Sequence, residues 1–281
     1  MGNSLNGKVA FITGAASKRG MGHAVALRLA REGADVVVSD KFLAPKSAWA
    51  GDEGWKGLEE VVKEIRALGR KALAVVGRVE NEKEVDAAVK AAIDKFGKID
   101  ILVNCAGIVG TVGVPVINGD EAEWRQVFDV NTLGPFIISK AIAREMIRRK
   151  EGGKIVHIAS AAGKIGAPGS AAYAASKWAV IGLVQSLALE LAPYKINVNV
   201  INPGFFVTNI LDNDALSKSR KAGITLEEFR AEEYKKIITR IPVGRMGRVE
   251  DIANLILFLV SDQSDYMTGQ AINITGGHVM H

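Results

Sequence analysis

Short apolar runs of strand length alternate with helix-period patterns along nearly the whole chain. Val9–Ile12, Val36–Ser39, Ala72–Val76, Ile99–Val103, Lys154–Ile158, Ile196–Ile201 and Ala271–Ile274 read as strands. Between them, 22–32, 58–68, 82–96, 122–150, 171–191 and 249–260 carry helical spacing. Continuous apolar strands joined by helices predict a parallel sheet buried on both faces. Right-handed crossovers then give an α/β, Rossmann-like, doubly wound sandwich of about seven strands. No Gly/Ser/Pro-rich linker and no internal repeat divides residues 1–281, so the pattern predicts one domain.

Two stretches break the rhythm. Residues 42–56 form a polar insertion with two tryptophans directly after the second strand. Residues 209–241 are longer and more charged, and Thr225 with Glu228 has the spacing of a capping box. Insertions at the carboxyl end of a parallel sheet lie over the ligand crevice, so the second is expected to be a substrate lid.

Composition narrows the picture. The chain is 48% apolar, 6% aromatic and carries a net charge of +5, dispersed along its length. That dispersal argues against a nucleic-acid partner. The most apolar windows, Ile99–Val103 and Ile252–Val260, fall short of the roughly 20 residues of a membrane span. Met1–Gly7 lacks the pattern of a secretory signal, and one cysteine cannot form an internal disulfide. A cytoplasmic protein is expected. The four histidines have no paired spacing, so no metal site is expected; His157 reads as strand packing and Cys105 as a small core residue.

The candidate chemistry starts after the first strand. Thr13 to Gly22 is a Gly-rich turn leading into a helix, an arrangement that offers backbone N–H groups to a pyrophosphate. Asp40 ends the second strand, where a carboxylate accepts adenosine ribose hydroxyls and repels a 2′-phosphate, favouring NAD over NADP. Arg19 and Lys41 nearby pull the other way. Farther on, Tyr173 and Lys177 are spaced i, i+4 and share a helix face. A phenol titrates near pH 10, and a fixed cation favours its ionised form, as acid/base work requires. Ser160 lies at the carboxyl end of a strand, and Asn131 sits in a helical stretch that asparagine disfavours. Asn104-Cys105-Ala106-Gly107 closes the fourth strand with small residues.

In these features, together with Pro203-Gly204 and Thr208, the chain resembles the short-chain dehydrogenases/reductases of the single-domain type, from about Lys8 to Gly277. The resemblance implies a catalytic set of Asn131, Ser160, Tyr173 and Lys177. Tyr173 would exchange a proton with the substrate oxygen, while Lys177 would lower the phenol pKa and hold the nicotinamide ribose. Ser160 would stabilise charge on the substrate oxygen, and Asn131 would position a relay water. The implied cofactor-binding set is Gly14, Ser17, Arg19, Gly20, Met21, Gly22, Asp40, Val79, Asn104, Ala106, Gly107, Tyr173, Lys177, Pro203, Gly204, Phe206 and Thr208. The implied reaction is NAD(H)-linked interconversion of a secondary alcohol and a ketone by a homotetramer that pairs the helices bearing Asn131 and Tyr173. A 3-oxoacyl thioester reductase using NADPH is the alternative. A sugar-nucleotide epimerase, an enoyl reductase with wider Tyr–Lys spacing and a non-catalytic scaffold fit less well.

Three departures stand out. Five residues separate Gly14 from Gly20, where the family pattern has three. Gly77-Arg78-Val79 stands where an aspartate often meets adenine, leaving Val79 to pack on the base. The 42–56 insertion is outside the common pattern, and some actinobacterial members with tightly held NAD carry one there. Phe205 and Phe206 either line the substrate pocket or anchor the lid.

Overall fold

The computed structural model describes residues 4–44, 49 and 52–281, the side chains of 211–214 excepted; part of the 42–56 insertion therefore lies outside the described residues. Seven strands form one all-parallel sheet: β1 (Val9–Thr13), β2 (Asp35–Asp40), β3 (Ala72–Val76), β4 (Ile101–Asn104), β5 (Gly153–Ile158), β6 (Ile196–Pro203) and β7 (Ala271–Ile274), in the order β3-β2-β1-β4-β5-β6-β7. The order reverses between β1 and β4, which opens a crevice at their carboxyl ends. Thr13 pairs with Asn104 and Asn104 with His157, so these ends are level.

Alternation along each strand sorts the core into two layers. Ala10, Ile12, Val36, Val38, Ile101 and Val103 face one side, where α1 (Met21–Arg31), α2 (Leu58–Ala67) and α9 (Val249–Val260) pack. Val9, Phe11, Val37, Leu102 and Ile155 face α3 (Glu82–Phe96), α5 (Gly134–Arg149) and α6 (Ala171–Leu191). Each fully buried Ile, Leu or Phe contributes about 1.5–3 kcal/mol. The doubly wound sandwich read from the sequence is the fold found. Strand β4 starts two residues later than expected and takes in Asn104.

The expected helix over 122–150 is not continuous. It divides into α4 (Glu121–Phe128), one π turn (Asp129–Leu133) and α5. Pro135 explains the break: its ring nitrogen cannot donate to the carbonyl four residues back, and its ring crowds that carbonyl. The residue four back is Asn131. Such π turns widen the helix and redirect side chains, often at functional sites.

Helix α6 departs from the sequence expectation in another way. The stretch 171–194 is 24 residues long and holds an 18-residue window with a mean hydropathy of 1.2, enough by length and composition to cross a membrane. In this fold it lies on the sheet, with Val180, Val184, Ala188 and Leu191 in the core. Residues 209–241 carry α7 (Asp212–Ala222) and α8 (Leu226–Ile238). The capping box is formed: Thr225 Oγ1 accepts from the Glu228 N–H at 3.2 Å, and Glu228 accepts from the Thr225 N–H at 2.9 Å.

Candidate active site

At the carboxyl edge of β1, the Gly-rich turn presses against the end of β4. Gly14 has φ +66°, and a β-carbon there would lie 2.8 Å from the Ala106 nitrogen. A β-carbon on Gly22 would collide with the Gly14 carbonyl, and one on Gly20 would come within 3.0 Å of the Ser17 carbonyl. The turn is thus tight at both ends of its enlarged middle, and α1 begins at Met21 with its N–H groups open to the crevice. Met21 itself packs against the core. Ser17 Oγ donates to Asn209 Oδ1 at 2.8 Å, joining the loop to the 209–241 segment.

Asp40 closes β2 beside this turn, accepting from the Ala16 N–H at 3.1 Å. Burial pushes its carboxyl pKa above the usual range, against the pull of the Ala16, Phe42 and Lys41 backbone groups and the Lys41 charge. Trp55, from the described end of the insertion, donates its indole N–H to the Ala16 carbonyl at 2.7 Å.

The Asn104 side chain is held within the sheet. Its Oδ1 accepts from Thr13 Oγ1 at 2.5 Å, and Thr13 Oγ1 accepts from the Ala106 N–H at 3.1 Å. The side chain is spent on stitching β1 to β4. Val79 is similarly committed, being buried against Gly134, where a β-carbon would come within 2.6 Å of it. Pro203 ends β6, and Gly204 donates to Ile274 at 3.0 Å, so close to Thr275 that a β-carbon would sit 3.0 Å from its Cα. Phe206 packs on the core and bridges to Gly247, fitting the anchor reading; Thr208 follows, half-buried.

The catalytic candidates converge on the carboxyl ends of β4 and β5. Freed by the π turn, Asn131 is 1% exposed and bonded in three directions. Its Oδ1 accepts from the Ile108 N–H at 2.9 Å, while Nδ2 donates to the Ile108 carbonyl at 2.8 Å and to Ser176 Oγ at 3.0 Å. Ser176 Oγ in turn donates to the Tyr173 carbonyl at 2.7 Å. Ser176 had no assigned role in the sequence; its place one turn after Tyr173 was the available signal. Lys177, 5% exposed, donates to the Ile158 carbonyl at 3.0 Å and lies 5.5 Å from the centre of the Tyr173 ring. A β-carbon on Gly107 would lie 3.3 Å from both Asn131 Oδ1 and Lys177 Nζ. Asn131, Lys177 and Gly107 therefore border one small space, which Gly107 keeps open.

Burial dominates the electrostatics. It lowers the Lys177 ammonium to about 8, partly opposed by Cys105, and raises the Cys105 thiol to about 12. The Tyr173 phenol is pushed up by burial and drawn back by a hydrogen bond with Ser160. In the free chain the phenol thus stands above its ordinary value, contrary to the lowering expected from Lys177, because desolvation outweighs the other influences. Ser160 Oγ also accepts from the Ala162 N–H at 3.2 Å. His157, behind the site, is fully buried between Ser139 (2.8 Å) and Asn104 (3.4 Å), and burial lowers it to about 3. It is neutral core packing, as its strand position implied. Tyr173 opens on a cleft of about 480 Å³ whose walls include Val109, Thr111, Trp124 and Ser170.

Residues 14–279 match the family model described as enoyl-(acyl carrier protein) reductase. The chain is 38% identical over 273 residues to the 3-oxoacyl-[acyl-carrier-protein] reductase FabG of Staphylococcus aureus (strain N315), covering 97% of this chain and 98% of the relative. It is also similar to NAD+-bound xylitol dehydrogenase (TM-score 0.83, 34% identity, 97% of this chain and 99% of the other). Carveol dehydrogenase from Mycobacterium avium in complex with NAD matches with a TM-score of 0.87 and 30% identity over 99% of each chain. The family-model match over residues 14–279 and these similarities over nearly the full length of each chain place this protein in the short-chain dehydrogenase/reductase family of oxidoreductases.

Proposed function

We propose that the chain is an NAD(H)-dependent oxidoreductase, one domain with a 209–241 substrate lid, that interconverts a secondary alcohol and a ketone at Tyr173. The observation that carries this reading is the small space bordered by Asn131, Lys177 and Gly107 next to the Tyr173 ring. A β-carbon at Gly107 would fill it, as a β-carbon at Gly14 would fill the turn on the cofactor side. Both features fit a dinucleotide lying along the carboxyl edge of β1 and β4. Gly14, Ser17, Gly20 and the start of α1 would hold its pyrophosphate, Asp40 its adenosine ribose, and Lys177 its nicotinamide ribose. When bound, the nicotinamide supplies or accepts the hydride.

The chain's own work is position and proton transfer. Tyr173 would pass a proton to the ketone oxygen, or take one from the alcohol, while Ser160 donates a hydrogen bond to the same oxygen. A phenol raised by burial is a reluctant acid, so the Lys177 charge and the Ser160 hydroxyl must bring it down. Asn131, fixed by Ile108 and Ser176, would place a relay water beside Lys177.

Assembly as a homotetramer is supported by the outward face of α6. Trp178, Gly182 and Leu189 recur along it, and Trp178, Leu189, Leu133 and Phe136 are exposed large apolar side chains. A helix apolar all round calls for cover on both sides. The reading places the chain in the cytoplasm, with a small-molecule substrate and no nucleic-acid or membrane partner.

A second reading, a 3-oxoacyl thioester reductase using NADPH, is favoured by the relatives' names as 3-oxoacyl-[acyl-carrier-protein] reductases. Asp40 opposes it, because a carboxylate at the end of β2 repels a 2′-phosphate. Turnover of a secondary-alcohol panel with NAD, set against a 3-oxoacyl thioester with NADPH, separates the two. Oxidation of an alcohol with NAD at a tenfold higher kcat/KM supports the first reading; the reverse ratio establishes the second.

A further inference from the structure

The enlarged turn presents a conflict of charge. Lys18 and Arg19 lie in it, and Lys41 follows Asp40 directly. A guanidinium or ammonium at this edge suits a 2′-phosphate, whereas the Asp40 carboxylate suits a ribose hydroxyl. Five loop residues between Gly14 and Gly20 give the two cations room to reach either way.

The described part of the 42–56 insertion engages all of them. Arg19 Nη2 lies 3.3 Å from Asp52 Oδ1, and Lys18 Nζ lies 3.6 Å from the same oxygen. The Asp52 carboxylate is 1% exposed, whereas the Arg19 and Lys18 side chains are 36% and 40% exposed, so a buried anion meets two cations at the protein surface. Arg19 is also seated over the Trp49 ring, its guanidinium 4.6 Å from the centre, and Arg230 of α8 approaches the same ring at 3.7 Å. Lys18 lies 5.8 Å from the Trp55 ring, and Trp55 is fixed by its hydrogen bond to Ala16. Lys41 faces the Phe42 ring at 5.1 Å.

The geometry points to Asp52, assisted by Trp49, as a determinant of cofactor specificity: it holds the charge of Arg19 and Lys18 and leaves the choice at the ribose edge to Asp40. Resting on the NAD reading above, this gives the insertion a task that the Gly-rich turn and Asp40 do not perform alone. Without the Asp52 carboxylate, Arg19 and Lys18 would be drawn toward a 2′-phosphate despite Asp40, because a charge-assisted bond from arginine to phosphate is strong and directional. A buried carboxylate contacting both cations removes that attraction without removing the side chains. Trp49 adds geometry, because a guanidinium held over an aromatic ring resists turning outward.

Calorimetric titration of NAD and NADP into wild type, Asp52→Asn and Asp52→Asn/Arg19→Met tests this. The amide keeps the size of Asp52 and removes its charge. Asp52→Asn should bind NADP at least tenfold more tightly while NAD affinity moves less than threefold, and the added Arg19→Met should cancel the gain. A folded Asp52→Asn whose NADP affinity is unchanged, or whose NAD and NADP affinities weaken in parallel, overturns the proposal. Should Asp52→Asn fail to fold, Arg19→Met alone decides. The proposal expects its NADP-to-NAD affinity ratio to stay within threefold of wild type, and a tenfold fall would show Arg19 already serving the phosphate. A wild-type preference for NADP would sink the NAD reading itself, a failure visible before any variant is made.

Discussion

The two edges of the sheet treat buried charge in opposite ways. At the amino edge, Asp100 precedes β4 and is matched on every side. It accepts from the Val9 N–H at 2.8 Å, pairs with Lys98 at 3.0 Å and receives Arg149 at 2.6 Å. At the carboxyl edge, Lys177 donates to the single Ile158 carbonyl, and burial drives Lys177, Tyr173 and Asp40 away from their ordinary titration ranges. Matched charge at one end ties strand to helix. Charge left mismatched at the other is available to a ligand, which is why perturbed groups gather at functional sites.

That contrast can be broken by substitution. Lys177→Met should lower kcat/KM by about 10²–10⁴-fold, the range for losing a positioned acid/base component. It should also raise stability near neutral pH. The lysine's value falls from 10.5 to about 8 on folding, so the unfolded chain binds the proton more tightly and folding bears a penalty below pH 8 that fades as pH rises to 10.5. The net gain should be on the order of 1 kcal/mol once the Ile158 carbonyl loses its donor, read as a higher urea midpoint. Asp100→Asn should do the converse, costing about 3 kcal/mol by uncoupling Arg149 and Lys98 while the folded enzyme keeps its kcat. Equal effects of these two substitutions on activity would erase the distinction between the edges.

Smaller effects sharpen it. Gly14→Ala should weaken NAD binding by about tenfold, because a methyl 2.8 Å from Ala106 at φ +66° forces the turn open; calorimetry reads this directly. His157 tests burial without function. Its value is lowered from 6.5 to about 3, so stability is fully present above pH 6.5 and is lost as pH falls toward 3. The slope should reach about 1.4 kcal/mol per pH unit, and His157→Gln should flatten it.

Much of this was legible in the sequence because parallel strands buried on both faces are written locally. The bounds of β3, α3, α6 and α9 follow from apolar periodicity, and in the structure Asn81 caps the start of α3 and Gly97 ends it. The candidate catalytic positions stood out by residue type and spacing, Ser160 at a strand end, Asn131 within a helical stretch and Tyr173 with Lys177 at i, i+4. What the sequence hid depends on contacts distant in the chain. The commitment of Asn104 to Thr13 spans 91 positions, and the burial of Val79 depends on Gly134. The π turn at Asn131 was in principle readable from Pro135, four residues on, but a helical period over 122–150 masked it. Nothing in the sequence singles out Asp52; the partners that folding brings to it do.

The central claim is that Tyr173 carries the proton for an NAD-linked alcohol–ketone reaction. The most direct measurement is the kcat/KM of wild type and Tyr173→Phe on the same secondary alcohol, with the affinity of each protein for NAD measured alongside. The account predicts that removing the hydroxyl lowers kcat/KM by about 10³-fold or more and leaves NAD affinity within threefold. Tyr173→Phe turning over at the wild-type rate would contradict it and require another residue as the acid/base.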